Sequence, residues 1–256
     1  VDLITWQMLI PCLIFLSLSY AAYILRGLRW TVITRGDFTK DTNALTLAYG
    51  MAFALGAFTP ARSGDLARIE FTQRLGYPYS EVSGAYMAER LTDFGMLVSV
   101  FLLGVLVTDF GGGLELSWLF PAASAFIGLL GVLLLFLTTP ATLAGKLVAS
   151  KKVQDAIEAF RKGAVGWNKR GVRSTAFGLT VLIWALHVLA TTGFLLLASP
   201  ALPITIGLLF LTVTNLSGLL QLTPGNLGPF EIAGALVLTQ AGLPASEALA
   251  VTVSLH

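Results

Sequence analysis

Three stretches of the chain, residues 3–25, 116–137 and 175–198, are unbroken runs of mostly apolar side chains. Each reaches the roughly 17–25 residues that a helix needs to cross a hydrocarbon core. In lipid the backbone must satisfy its own hydrogen bonds, so runs of this kind are helices. Composition agrees. Of the residues, 55% are hydrophobic and 12% are charged, against about 25% charged in soluble domains, and the mean hydropathy is +0.80. The expected fold class is an all-α polytopic membrane protein, one transmembrane domain over residues 1–256. The first run lacks a basic leader and is too long for a cleaved signal peptide. A start at Val1 rather than Met is expected to reflect a trimmed or upstream beginning.

The formal net charge of +2 hides an asymmetry. Eight of the 16 Lys and Arg residues lie within 146–173, opposed only by Asp155 and Glu158, and Arg26, Arg29, Arg35 and Lys40 follow the first span. The loop holding Asp109 and Glu115 has no basic residue. The positive-inside rule then puts 26–42 and 140–173 in the cytoplasm and the acidic loop outside, as in an inner-membrane protein. Leu143, Leu147, Val153, Ile157, Phe160, Ala164 and Trp167 recur at helical spacing through the basic stretch. It therefore reads as an amphipathic helix on the anionic lipids of the inner leaflet, not as a nucleic-acid site. Cys12 stands alone, which rules out an intrachain disulfide and a multi-cysteine metal site. His187 falls in mid-span, bonded to a neighbouring helix or handling protons. Trp6, Trp30, Trp118 and Trp167 fall near span ends, as an aromatic belt requires, and Trp184 reads as packing.

A repeat organises the chain. Thr59-Pro60-Ala61-Arg62-Ser63-Gly64 matches Thr223-Pro224-Gly225-Asn226-Leu227-Gly228, and Gly76-Tyr77-Pro78-Tyr79-Ser80-Glu81 matches Gly242-Leu243-Pro244-Ala245-Ser246-Glu247. The offsets are 164 and 166, and the second register pairs Arg90 with His256. Repeat 1 covers about 3–108, a connecting span and basic linker about 116–173, and repeat 2 about 174–256. Each copy reads as a span, an apolar arm, the Thr-Pro break, a short segment, Gly-x-Pro and another span. The arms and short segments are 44–58 and 65–75 in one copy, and 204–222 and 230–241 in the other. Pro60 and Pro224 disfavour helix at the preceding residue, so each pair is expected to form a re-entrant hairpin. Combined with the loop charges, the copies have inverted topology, with hairpins entering from opposite sides and meeting near the bilayer midplane. Ala48, Ala52 and Gly56 form a small-residue stripe for close helix packing. The span from Ser246 has too few residues left to cross.

Charges cluster after the first break: Arg62, Asp65, Arg68, Glu70 and Arg74, then Glu89, Arg90 and Asp93. Glu70 and Arg74 stand four apart and can pair. Glu89 and Asp93 share a face and need a cation. The set is either a self-neutralising structural cluster or an anion site. In the second case Gly64 and Gly228 open half-helices whose N–H groups attract phosphate or carboxylate. Arg62, Arg68 and Arg90 converge on a hydrated cavity, balanced by Asp65, Glu89 and Asp93. The second hairpin offers Asn215, Gln221, Asn226 and Glu231.

These motifs, Pro224-Gly225-Asn226-Leu227-Gly228-Pro229-Phe230-Glu231 and the segment 60–68 with Glu89-Arg90-x-x-Asp93, resemble the lysylphosphatidylglycerol synthase transmembrane-region family. That family includes the flippase part of multiple peptide resistance factors and stand-alone flippase-like proteins. The resemblance spans nearly the whole chain and implies handling or movement of lipids. By matching position it implies Arg62, Gly64, Asp65, Arg68, Glu89, Arg90, Asp93, Pro224, Gly225, Gly228 and Glu231 as motif residues. Asn226 stands where Gly is usual, Asp65 where Glu is common, and His256 where Arg is frequent. No soluble transferase domain accompanies the spans.

The expected function is a flippase or transporter moving an anionic or zwitterionic phospholipid or glycolipid between leaflets, with membrane lipids as its substrate. The alternatives are a membrane enzyme acting on a lipid pyrophosphate, for which Asn226, Leu227 and Pro229 offer no nucleophile, and a structural subunit of a membrane complex. No catalytic residue, metal or cofactor is expected, and a homo-oligomer is left open.

Overall fold

The computed structural model describes residues 6–35, 38, 41–59, 63–108, 170–218 and 223–256. Arg62, Pro60, Gln221, the 116–137 span, the acidic loop and the basic linker up to Lys169 lie outside these residues. Every regular element described is helical: α1 (Trp6–Arg35), α2 (Thr42–Phe58), α3 (Ser63–Arg74), α4 (Tyr79–Val107), α5 (Arg170–Ala198), α6 (Ile206–Ser217), a 3₁₀ turn (Pro224–Asn226), α7 (Pro229–Gln240) and α8 (Ala245–Leu255). Among the described residues, three helical stretches are long and apolar enough to cross a membrane: Leu9–Arg35, Tyr79–Val107 and Gly171–Ala198. The protein is a multi-pass membrane protein. The outward side chains of these helices are those of a lipid-facing surface, with Ile10, Leu16, Leu106, Phe177 and Leu189 all exposed. Water would not tolerate so continuous an apolar face.

The remaining helices are short. At 1.5 Å per residue α3, α6 and α7 are about 18 Å long and α2 about 26 Å, against a core of about 30 Å. The pairs α2–α3 and α6–α7 pack side by side. The α2–α3 pair approaches closely because of small residues. A Cβ on Gly64 would collide with the backbone of Ala52 and Gly56, and Ala48 and Ala52 are buried. The expected packing stripe is present and is the reason position 64 has no side chain.

The repeat read from the motifs recurs in the element bounds. Trp6 and Arg170, which open α1 and α5, are 164 residues apart, as are Thr42 and Ile206 at the starts of α2 and α6. The helices α3 and α7 begin and end 166 apart, and Tyr79 and Ala245 open α4 and α8 at that same offset. Gly76 and Gly242, at φ +92° and +97°, make the same left-handed exit from α3 and α7, the conformation glycine adopts most readily at a helix C-terminus.

Each half has its own core. Trp30, Ile33, Leu45, Tyr49, Ile69 and Val82 pack together in the first. Phe194, Ile206, Phe210, Leu238 and Val251 do so in the second. Between them, α1 runs along α5 and α4 packs on α6, with Leu97, Val100, Trp184 and Leu211 at the seam. The 224–226 turn rests against α2.

Two sequence expectations need correction. Arg26 and Arg29 belong to no loop: nothing in the segment 26–35 breaks a helix, so α1 runs on to Arg35 and buries Arg29 completely. Trp30 is no belt residue either. It is fully buried, and its indole N–H donates to Thr72 Oγ1 at 3.2 Å. Trp184 packs as expected.

Candidate functional site

The charged residues of α1, α3 and α4 meet inside the first half. Glu89 and Asp93 stand one turn apart on α4 and face α1, where Arg29 bridges them. Its Nη2 donates to Glu89 Oε1 at 2.6 Å and Asp93 Oδ2 at 2.8 Å, and its Nη1 to Asp93 Oδ1 at 2.7 Å. Thr180 of α5 accepts from the same Nη1 at 2.9 Å. The cation that the acidic pair requires is thus Arg29, with Arg90 secondary. From α3, Arg68 Nη1 donates to Glu89 Oε2 at 2.7 Å, so both oxygens of this fully buried carboxylate are taken by guanidinium groups.

Arg68 is itself 2% exposed and lies among three rings, 4.4 Å from Trp30, 4.7 Å from Tyr49 and 5.0 Å from Tyr86. Desolvated stacking of this kind favours a guanidinium over an ammonium. Tyr86 OH donates to Asp65 Oδ2 at 3.1 Å. Asp65 also lies 3.6 Å from Arg68 and 3.9 Å from Arg90. Arg90 and Arg26 complete the group, 3.4 and 3.6 Å from Asp93 Oδ2. Arg26 Nη2 meets His187 Nε2 at 3.1 Å. Because arginine only donates, that nitrogen of His187 is the acceptor, which is the packing role expected of this histidine. Trp184 Nε1 lies 3.4 Å from Asp93 Oδ1.

The structure therefore brings together Asp65, Arg68, Glu89, Arg90 and Asp93 as the sequence predicts. It adds Arg26, Arg29, Tyr86, Thr180 and Trp184, which sequence reasoning missed. The signal for the first two was present in the unmet demand of Glu89 and Asp93 for a cation, and in their i, i+3 placement beyond an apolar run. Arg62 lies outside the described residues. Glu70 and Arg74 pair at 2.9 Å on the exterior.

The second hairpin builds a different tip. Gly225 and Asn226 both have φ +61°, a region asparagine tolerates better than most side chains, which accounts for Asn at a position that resembles a glycine. Asn226 is 9% exposed, and its Nδ2 donates to Ser217 Oγ at 3.0 Å. At the N-terminus of α7, expected to offer free donors, Gly228 N–H is taken by the helix's own Glu231, donating to its Oε2 at 2.6 Å. The other oxygen of Glu231 meets His256 Nδ1 at 2.5 Å, and His256 Nε2 meets Gly225 O at 2.9 Å. Asn215 is turned back on its own helix, donating to Leu211 O at 2.7 Å, so it does not join this tip. Pro224 opens the 3₁₀ turn.

No curated protein and no solved structure matches the chain. One family does, along its full length: the lysylphosphatidylglycerol synthase TM region, a membrane domain tied to lipid handling, matches residues 1–256. The apolar spans and the paired motifs around the buried charges are thus those of a known membrane domain, and the chain belongs to the lysylphosphatidylglycerol synthase TM region family.

Proposed function

We propose that the protein is a flippase that moves a phospholipid or glycolipid with an anionic or zwitterionic headgroup between leaflets. The observation that carries this reading is the charged cluster itself, four arginines against three carboxylates inside a bundle whose outer face is apolar. Charges at membrane depth are costly and commonly mark a pathway for polar cargo. A headgroup needs such a polar path while its acyl chains remain in lipid.

In this reading the two halves have opposite orientation, and the hairpins α2–α3 and α6–α7 enter from the two sides and meet near the midplane. The contact of the 224–226 turn with α2 and the charge asymmetry of the connecting segments support it. The segments 36–42 and 140–169 then face the cytoplasm, with 146–169 on anionic inner-leaflet lipid.

The test is reconstitution in liposomes carrying a fluorescent-headgroup phosphatidylglycerol, with an impermeant quencher outside. Wild type is expected to expose the inner-leaflet pool, and Arg90→Gln to abolish that exposure while remaining folded in detergent. Equal rates in protein-free and protein-containing liposomes would end the proposal.

A further inference from the structure

The four buried arginines are not equivalent. Arg29 and Arg68 are fully enclosed and hold their carboxylates at 2.6 to 2.8 Å. Arg26 and Arg90 make only long contacts with carboxylates. Both reach for Asp93 Oδ2, at 3.6 and 3.4 Å, an oxygen that already accepts from Arg29 Nη2 at 2.8 Å. Arg90 has further carboxylates only at 3.8 Å in Glu89 and 3.9 Å in Asp65. The Nε of all four arginines is buried without a hydrogen-bond partner among the described residues, so it is the length of their ion pairs that sets Arg26 and Arg90 apart. Their side chains are also the most open of the four arginines, 16% and 24% exposed. Arg26 and Arg90 therefore form the open rim of an otherwise closed cluster.

The charge count sharpens this. Among the described residues, Arg26, Arg29, Arg68 and Arg90 face Asp65, Glu89 and Asp93, a surplus of one positive charge. His187 accepts from Arg26 and so adds no charge on that nitrogen. A surplus cation within a membrane bundle is expensive. The rim has a defined shape: two guanidinium groups flank the one carboxylate of Asp93.

We infer that Arg26 and Arg90 form a two-armed clasp for the phosphate of a phosphodiester, with His187 positioning Arg26. The inference rests on the lipid-headgroup reading above and names its ligand chemistry. A phosphodiester carries one negative charge, which cancels the surplus, and two non-bridging oxygens, one for each guanidinium fork. A phosphomonoester dianion would overshoot the count.

The experiment is binding to the purified full chain in dodecyl maltoside micelles, followed as the part of the tryptophan fluorescence change that is lost in Trp184→Phe, since the Trp184 indole nitrogen lies 3.4 Å from Asp93. Three probes are compared: dioleoylphosphatidylglycerol, dioleoylglycerol, which lacks the phosphate, and water-soluble glycerophosphoglycerol. Wild type is expected to bind the phospholipid far more tightly than dioleoylglycerol. Arg26→Gln and Arg90→Gln should each weaken it roughly tenfold or more, the loss of a charge-assisted contact. Arg26→Lys keeps the charge without the fork and is expected to bind more weakly than wild type, which keeps the test decisive if a Gln variant does not fold. His187→Ala should weaken binding less than Arg26→Gln. Glu70→Gln, on the exterior, should bind as wild type does.

Unchanged affinity in Arg26→Lys and Arg90→Gln would overturn the clasp. Equal affinity for dioleoylglycerol and the phospholipid would do the same. Binding of glycerophosphoglycerol as tight as the lipid would overturn the lipid source and point to a free phosphodiester. If the arginine variants lose binding and yet the wild type moves no lipid in liposomes, the clasp stands and the flippase reading falls.

Discussion

The two halves share a scaffold and differ in what fills it. At four positions of the charged cluster the first half carries Arg26, Arg29, Arg68 and Glu89. The same repeat offsets place Ala190, Gly193, Gly234 and Leu255 in the second. Where the first half has interlocked ions, the second has close packing. A Cβ on Gly234 would stand 2.5 Å from Thr252 Cγ2 and 2.8 Å from Phe210 Cε2. Only the outer acid–base pair recurs in kind, as Asp65 with Arg90 at 3.9 Å and Glu231 with His256 at 2.5 Å. The second half is thus an internal control: helices in the same order and at the same starting offsets form there without the charges of those four positions. Buried ion pairs are often no more stabilising than apolar residues of similar volume. The inner charges of the first half therefore call for a reason beyond folding, and cargo recognition supplies one.

The largest expected effect is that of Arg29→Gln. It leaves Glu89 and Asp93 facing each other with their closest cation gone, and should cost about 3–5 kcal/mol, read as a fall in unfolding temperature in detergent. Copying the second half instead, by Arg29→Gly, Arg68→Gly and Glu89→Leu together, removes Glu89 along with both of its close cations and should cost less than the sum of the three single changes. If the triple variant costs that full sum, the halves are not interchangeable scaffolds. Next comes Gly234→Ala, where Thr252 and Phe210 must shift to admit one methyl group, at about 1–3 kcal/mol. This loss should be the same at low and high salt, because no charge is involved; a salt-dependent loss would break the contrast between packed and ionic halves. The smallest is Glu70→Gln. Its ion pair with Arg74 lies on the exterior, with the two side chains 52% and 71% exposed, and its removal should change stability by no more than about 0.5 kcal/mol.

Hydropathy and two short motifs made the helices and the repeat legible. The segments 65–75 and 230–241 lie within a residue or two of the observed α3 and α7, because Thr-Pro and Gly-x-Pro punctuate the chain on both sides. The convergence of Asp65, Arg68, Glu89, Arg90 and Asp93 was legible because unpaired charges in lipid must find one another. Arg26 and Arg29 were misplaced because the positive-inside rule treats arginines at the end of a span as loop markers, and here the span continues past them. The capping of α7 by Glu231 was hidden for a different reason. A helix N-terminus invites any carboxylate, and the sequence does not say whether its own or a ligand's will arrive first. Asn215 meets a local competitor, its amide N–H donating one turn back on the same helix, a bond that spacing along the chain does not announce.

The buried arginines of α1 bear on how the protein is made. The helix contains no acidic residue of its own, so a nascent α1 reaches the bilayer carrying Arg26 and Arg29 without a counter-charge. A charge at the centre of a lone span opposes insertion by about 2.5–3.5 kcal/mol, less near an end where the side chain can reach the headgroups. Glu89 and Asp93 arrive only with α4, some sixty residues later. Until then α1 is held by its apolar N-terminal two-thirds, its last turns waiting at the interface. Assembly of the first half is therefore a delayed step, in which α4 draws the end of α1 into the bundle as its carboxylates meet the two arginines.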